Sequence, residues 1–155
     1  MTIKRLQGDV SAASRRVGIV LSRFNREVGE GLLAGALRAL REAGVDDAHV
    51  TLVSVPGALE TPLVLQRMAQ SGDYDALVAL GAVIRGETYH FEIVSNESAA
   101  GVSSVALEFG IPIGNGILTC ENDAQALARM DQKGYEAVQA ALEIAVLFDV
   151  LDEQD

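Results

Sequence analysis

Tryptophan is absent from this chain, cysteine occurs once, and 12 Lys+Arg face 22 Asp+Glu. The shortage of basic side chains argues against nucleic acid or an anionic membrane as partner, since both are bound through Lys and Arg patches. Aromatic residues make up only 5%, too few for a platform on which bases stack. A lone cysteine, Cys120, excludes an internal disulfide and fits a reducing compartment, so a cytoplasmic location is expected. With one cysteine and two separated histidines the chain has no metal-ligand spacing, and no metal is expected. No run approaches the roughly 18 consecutive apolar residues of a membrane span. The opening MTIKRLQGDVSAASRR lacks the apolar core of a secretory signal. Neither GxGxxG nor a GxxxxGK followed by Ser or Thr is present, so the nucleotide fingerprints are missing.

What is present is alternation. The 155 residues carry no repeat, low-complexity tract or linker and read as a single domain, 1–155, with 1–15 as a flexible N-terminal arm. VGIVL (Val17 to Leu21) is a short β-branched run, as in a strand buried on both faces. Asn25 can cap a helix from about Arg26 to Ala43, closed by Gly44, whose apolar residues Val28, Leu32, Leu33, Ala36, Leu37 and Leu40 share one face. His49 to Val55 reads as the second strand, ended by Pro56-Gly57, and ETPLVLQRMAQSG as a helix with Pro62 in its first turn. Ala76 to Ile84 is the third strand, His90 to Phe109 a helix, and Ile111 to Thr119 the fourth strand. Two helices are expected to finish the chain, Asn122 to Met130 and Tyr135 to about Leu151. Four strand–helix alternations imply an α/β fold, a parallel sheet with right-handed crossovers and helices on both faces. The 49% apolar share against 22% charge fits surface hidden in an oligomer, and equally a tightly packed core.

Ligands of such sheets bind outside the carboxyl ends of the strands, which points to SRFN, VPGALE, AVIRGETYH and NGILT. Phe24 is an aromatic in a polar turn, with Asn25 beside it. Gly57 permits close backbone approach, and Glu60 brings a carboxylate to the same edge. Gly86 lets backbone N–H groups turn toward an anion, Thr88 adds a hydroxyl, and the helix start adds partial positive charge. His90 falls in the first helical turn, where a neutral imidazole can shuttle protons. Each residue alone has a plainer account: Phe24 can staple the start of its helix, Asn25 can simply cap it, and Gly57 and Gly86 can be turn glycines. Glu60 can be a solvated first-turn carboxylate, and His90 a surface or capping histidine. His49 begins a strand far from the carboxyl edge, and Cys120 has no histidine partner, so neither is a candidate. As a set, the residues describe a site for a small phosphate-bearing substrate with a planar ring and one acid–base histidine. They do not by themselves name a reaction.

In order, SRFN, VPGALETP, ALGAVIRGETYHFEIVSNESAAG, NGILT and KGYEA resemble the 6,7-dimethyl-8-ribityllumazine synthase family from about Val17 to Leu147. The central GAVIRGET-x-H-F-E run is the most specific of these motifs. The resemblance implies a flavodoxin-like three-layer sandwich with a four-stranded parallel sheet and helices on both faces. It implies a transferase acting in the penultimate step of riboflavin biosynthesis. There 5-amino-6-(D-ribitylamino)uracil condenses with 3,4-dihydroxy-2-butanone 4-phosphate, releasing phosphate and water, with no cofactor. It further implies that Phe24 stacks on the pyrimidine, with Asn25 shaping that loop, and that Ala58, Leu59 and Glu60 hold the ribityl chain. Ala82, Val83 and Ile84 would lie along the ring. Gly86, Glu87, Thr88 and Arg129 would hold the phosphate, Lys133 would sit near the pyrimidine, and His90 would move protons.

Three departures from the family pattern stand out. Asn115 occupies a position where many members carry a Phe that reaches the substrate of an adjacent subunit. Leu59 replaces an aromatic. The segment Arg129-Met-Asp-Gln-Lys133 is shorter than in members with a glycine-containing loop between the last two helices. The family further implies sites shared between neighbours in a homopentamer, and leaves open a 60-subunit icosahedral shell and association with riboflavin synthase. SNESAAGVSSVA is poor in bulky groups; its backbone can approach a neighbour closely, or can simply pack on its own sheet. A non-catalytic lumazine or flavin carrier, a flavodoxin-like electron carrier and a structural shell are the rival readings. A carrier needs no butanone-phosphate site, an electron carrier needs a phosphate loop that SRFN lacks, and a shell leaves the loop chemistry unexplained.

Overall fold

A computed structural model describes residues 2–11 and 14–154; residues 1, 12 and 13 of the expected arm, and residue 155, lie outside the described residues. Four parallel strands, β1 (Val17–Ser22), β2 (Val50–Val55), β3 (Ala76–Ile84) and β4 (Ile113–Cys120), form one sheet in the order β2-β1-β3-β4. Helices α1 (Arg26–Glu42), α2 (Thr61–Ser71), α3 (His90–Phe109) and α4 (Asp123–Asp152) cover it. This is the three-layer arrangement expected from the alternation.

The pleat divides the core. Val17, Ile19 and Leu21 of β1, with Ala76, Val78, Leu80 and Ala82 of β3, point toward α1 and α4. Val20, Leu77, Ala79 and Val83 point the other way, toward α2 and α3. A strand buried on both faces reads as a continuous apolar run, which is why β1 and β3 were legible without alternation.

Local signals set the helix ends. The Asn25 side chain accepts a hydrogen bond from the Val28 N–H at 3.2 Å, capping α1. Gly44, Gly72 and Gly110 follow the last turns of α1, α2 and α3 with φ of 86°, 73° and 60°, a conformation that costs glycine nothing. Two strands start later than expected, and β1 and β4 each run one residue further, to Ser22 and Cys120. Asp46 accepts from the Ala48 N–H at 2.9 Å and holds Asp47–His49 in a 3-10 turn, so β2 begins at Val50. Pro112 has no N–H to give a ladder, and β4 begins after it.

The larger correction concerns the C-terminus. In place of two helices there is one, α4, thirty residues long, capped by Asn122 through the Gln125 N–H at 2.9 Å. Nothing in Arg129 to Lys133 stops a helix, and Gly134 lies inside it for packing reasons. A Cβ on Gly134 would run into the Leu32 carbonyl of α1, and one on Gly35 into the Asp131 carbonyl of α4. The two glycines let the helix backbones touch. Arg38 of α1 reinforces the crossing, pairing with Asp131 at 2.7 Å and lying 4.3 Å over the Tyr135 ring. Burial between these helices raises the Tyr135 hydroxyl pKa above its ordinary value, and nearby Glu42 adds to the effect. At the other end of α4, Gly8 of the N-terminal segment lies buried against the backbone of Glu143 and Leu147.

Among the described residues no helix is long and apolar enough to cross a membrane.

Candidate active site

All four strands run the same way, so their carboxyl ends form one rim. From β1 the chain goes sideways to β2 and, later, to the opposite side for β3 and β4. Between those diverging connections a crevice must open. A cleft of about 540 Å³ occupies that place. Phe24 comes from the turn after β1, Pro56 to Glu60 from the turn after β2, and Ala82, Val83 and Ile84 from the end of β3. Gly86, Thr88, His90, Phe91 and Val94 come from the following loop and the first turns of α3.

Phe24 is 74% exposed, which decides against its stapling the helix. The staple partner, four residues into α1, is Gly29 and has no side chain to offer. An aromatic ring held at the mouth of an apolar cleft is placed to cover a flat ligand. Across from it, Gly57 is extended (φ −155°) and both Glu60 carboxylate oxygens lie 3.8 Å from where its Cβ would be. The carboxylate therefore folds back over a bare stretch of backbone. Glu60 N–H donates to the Gly57 carbonyl at 3.2 Å, which fixes the one-turn helix Ala58–Glu60. Ala58 is buried beneath it, while Leu59 stays exposed.

The loop after β3 is the polar wall. A Cβ on Gly86 would meet nothing within 4 Å, so its backbone faces open space. The Thr88 hydroxyl accepts from the His90 N–H at 3.4 Å and keeps its own proton for another acceptor. Among the described residues the His90 ring has no hydrogen-bond partner. Arg85, the cation nearest this loop, is already engaged. Its guanidinium bonds Glu92 and, at 2.6 Å through Nε, Glu121. The hydrogen bond to Glu92, then that to Glu121, raises the Arg85 pKa above the ordinary guanidinium value. The same bond from Arg85 holds the Glu92 carboxyl below its usual 4.5. Among the described residues no His/Cys/Asp/Glu group could hold a metal ion.

Not every expected site residue meets in this cleft. Asn25 is occupied as the cap of α1. Glu87 is exposed beside the cleft and does not line it. Asn115 lies opposite Ala79, five positions below the Ile84–Cys120 pair at the rim, or about 16 Å down the sheet at ~3.3 Å per residue. Its Oδ1 accepts from the Ile117 N–H at 3.0 Å. Arg129 and Lys133 are on α4, whose buried face packs against α1, and the Arg129 guanidinium donates to the Gln125 carbonyl at 2.9 Å. These three residues share the β4–α4 side of the chain.

Residues 14–149 match the model of the family described as 6,7-dimethyl-8-ribityllumazine synthase. The chain belongs to the 6,7-dimethyl-8-ribityllumazine synthase family. Curated relatives carry the same name. One from Nitrosospira multiformis is 58% identical over 153 residues, covering 99% of this chain and 96% of its own. One from Azoarcus sp. (strain BH72) is 56% identical over 149 residues, 96% of each chain. One from Paraburkholderia phymatum is 54% identical over all 155 residues, 90% of its own length.

Within this lumazine synthase scaffold the cleft also holds residues that were not singled out as binding groups. Pro56 stiffens the turn after β2. Phe91 and Val94 add an apolar wall from α3. Spacing carried a usable signal for the last two, because positions 91 and 94 lie on one helical face beside His90.

Proposed function

We propose that this chain condenses 5-amino-6-(D-ribitylamino)uracil with 3,4-dihydroxy-2-butanone 4-phosphate to 6,7-dimethyl-8-ribityllumazine, releasing phosphate and water. The observation that carries the reading is convergence. An aromatic, a carboxylate, a glycine-containing anion loop and an imidazole face one apolar cleft at the strand rim of a lumazine synthase family member. Phe24 stacks on the pyrimidine, Ala82 to Ile84 form its floor, and Glu60 accepts from ribityl hydroxyls beside Ala58 and Leu59. Gly86, Glu87 and Thr88, at the start of the twenty-residue α3, offer N–H groups, a hydroxyl and the helix's positive end to the phosphate.

The amine is already a nucleophile and phosphate a good leaving group. Holding both reactants at near-attack distance therefore supplies most of the acceleration. Imine formation and phosphate loss each move a proton, and His90 is the group at hand to carry it.

The cleft has no uncommitted cation of its own among the described residues, since Arg85 is bound to two carboxylates. We take Arg129, Lys133 and Asn115 to act in the cleft of a neighbouring copy, with Arg129 binding phosphate oxygens through its planar fork. Exposed apolar side chains support a homo-oligomer: Leu107 on α3 is 85% exposed and Leu63 on α2 71%. A pentamer in the cytoplasm is the assembly this reading favours, with riboflavin synthase as the enzyme that takes up its product.

The test mixes purified protein with both substrates and follows lumazine absorbance together with released phosphate. Formation of both above the uncatalysed rate is expected. Binding of lumazine or flavin without turnover would replace the enzyme with a carrier. Light scattering distinguishes a pentamer from a 60-subunit shell.

A further inference from the structure

We propose that Arg85 is a positioning residue: its guanidinium ties the first turn of α3 and the end of β4 together, and so sets the shape of the loop Gly86–Thr88 that receives the phosphate. The assignment rests on the reading of that loop given above.

Among the described residues the N–H groups of Gly86, Glu87 and Thr88 have no acceptor within the protein. A loop that keeps its donors free for a ligand cannot use them to hold its own shape, so the shape must be imposed from its ends. Arg85 holds both. Its backbone N–H donates to the Cys120 carbonyl at 2.9 Å, anchoring the start of the loop to β4. Its side chain bonds Glu92 in α3 and, through Nε at 2.6 Å, Glu121 in the turn before α4. The guanidinium also lies 4.3 Å over the Phe91 ring, a wall of the cleft. One planar group thus meets a carboxylate on each of two elements and an aromatic face. An ammonium cannot reproduce that fork.

The second carboxylate oxygen of Glu92 is buried and has no hydrogen-bond partner. Without Arg85 that carboxylate would stand uncompensated at the base of the anion loop. Loss of Arg85 therefore acts on phosphate binding twice, through geometry and through charge, and on the uracil side of the cleft only weakly.

The experiment compares Arg85→Met and Arg85→Lys with the assembled wild type. It measures kcat, the KM for each substrate, and the affinity for inorganic phosphate read from the His90 ring NMR signals. Expected is a rise of roughly tenfold or more in the KM for the phosphate substrate, the order a misplaced positioning group costs. Inorganic phosphate weakens in step, while the KM for the uracil moves by less than about twofold. Arg85→Lys restores only a minor part. Full restoration by lysine, an unmoved phosphate affinity, or a parallel rise in both KM values overturns the assignment. Should Arg85→Met fail to fold, Glu92→Gln breaks one arm and leaves the other on Glu121; the same split is then expected at smaller size, and its absence overturns the role. Absence of wild-type turnover sinks the reading of the activity and not this inference, because the phosphate titration needs no turnover.

Discussion

A single methyl group on Gly134 tests the contact that keeps α4 in one piece. An added Cβ would run into the carbonyl oxygen of Leu32, with the carbonyl carbon 2.8 Å and the Cα 3.0 Å away. All three atoms are helix backbone, so no side chain can swing aside and α1 must retreat from α4. Overpacking costs about 1–3 kcal/mol, and a backbone obstacle belongs at the upper end. Alanine recovers about 1 kcal/mol of helix propensity. The net expectation for Gly134→Ala is a loss of about 2 kcal/mol, or a melting temperature lower by about 4–8 °C at this chain length. Gly29→Ala is the control. Its Cβ would sit 3.4 Å from Leu21 Cδ1 and from the Ser22 carbonyl oxygen, in ordinary contact, so that change should be neutral or stabilise by up to about 1 kcal/mol. Thermal and urea unfolding at one fixed protein concentration compare them, because the stability of a homo-oligomer, the state proposed for this chain, depends on concentration. Gly35→Ala meets the Asp131 carbonyl at the same crossing and should be non-additive with Gly134→Ala. Gly134→Ala melting at or above wild type, with Gly29→Ala lower, would refute the backbone-contact account.

Three further expectations concern the cleft. His90→Ala should lower kcat by about 10²-fold, the low end of acid–base contributions, and leave measurable turnover because positioning remains; complete loss of product by absorbance contradicts that division of labour. Phe24→Ala should raise the KM for the uracil substrate about tenfold, the scale of a lost aromatic stack, with the phosphate-substrate KM moving far less in the same steady-state assay. Glu92 has its folded pKa depressed below 4.5 by Arg85. Below 4.5 the unfolded chain binds more protons than the folded one, so the stabilisation from this group is present above that pH and is lost as pH falls through the folded value. Glu92→Gln should accordingly be less stable than wild type at pH 7, and the gap in melting temperature should narrow between pH 5 and pH 3.

The fold was legible in the sequence where one residue type did one job. A β-branched run before the Asn25 turn marked β1, an apolar run between Gly72 and Gly86 marked β3, and α3 begins and ends at the residues where its pattern does. The misreadings came where a residue had two jobs. Gly134 falls in the gap between the two expected helices, Asn122 to Met130 and Tyr135 to about Leu151, where an isolated glycine usually weakens a helix. Its actual work is to admit the Leu32 backbone, a fact about another helix about a hundred residues away that no local pattern carries. His49 looked like the first residue of a strand because the apolar run starts beside it. The Asp46 side chain draws it into a 3-10 turn instead.

The same division governs the site. Phe24, Glu60, Gly86, Thr88 and His90 each follow a strand, and a parallel sheet brings every such residue to one rim, so topology alone predicts their meeting. Asn115, Arg129 and Lys133 belong to β4 and α4, on the outer edge of the strand order, and none of them lines the cleft of its own chain. Arg85 was hidden for another reason. Between Ile84 and Gly86 it reads as one more basic residue beside a phosphate loop, and the simplest inference would give it the phosphate. Its partners Glu92 and Glu121 are 7 and 36 positions away, and only the closed sheet reveals that its charge is already spent. On the reading proposed for this cleft, a cation so placed acts on the anion through the loop it holds still, and the anion itself meets backbone N–H groups and charge brought by a neighbouring copy.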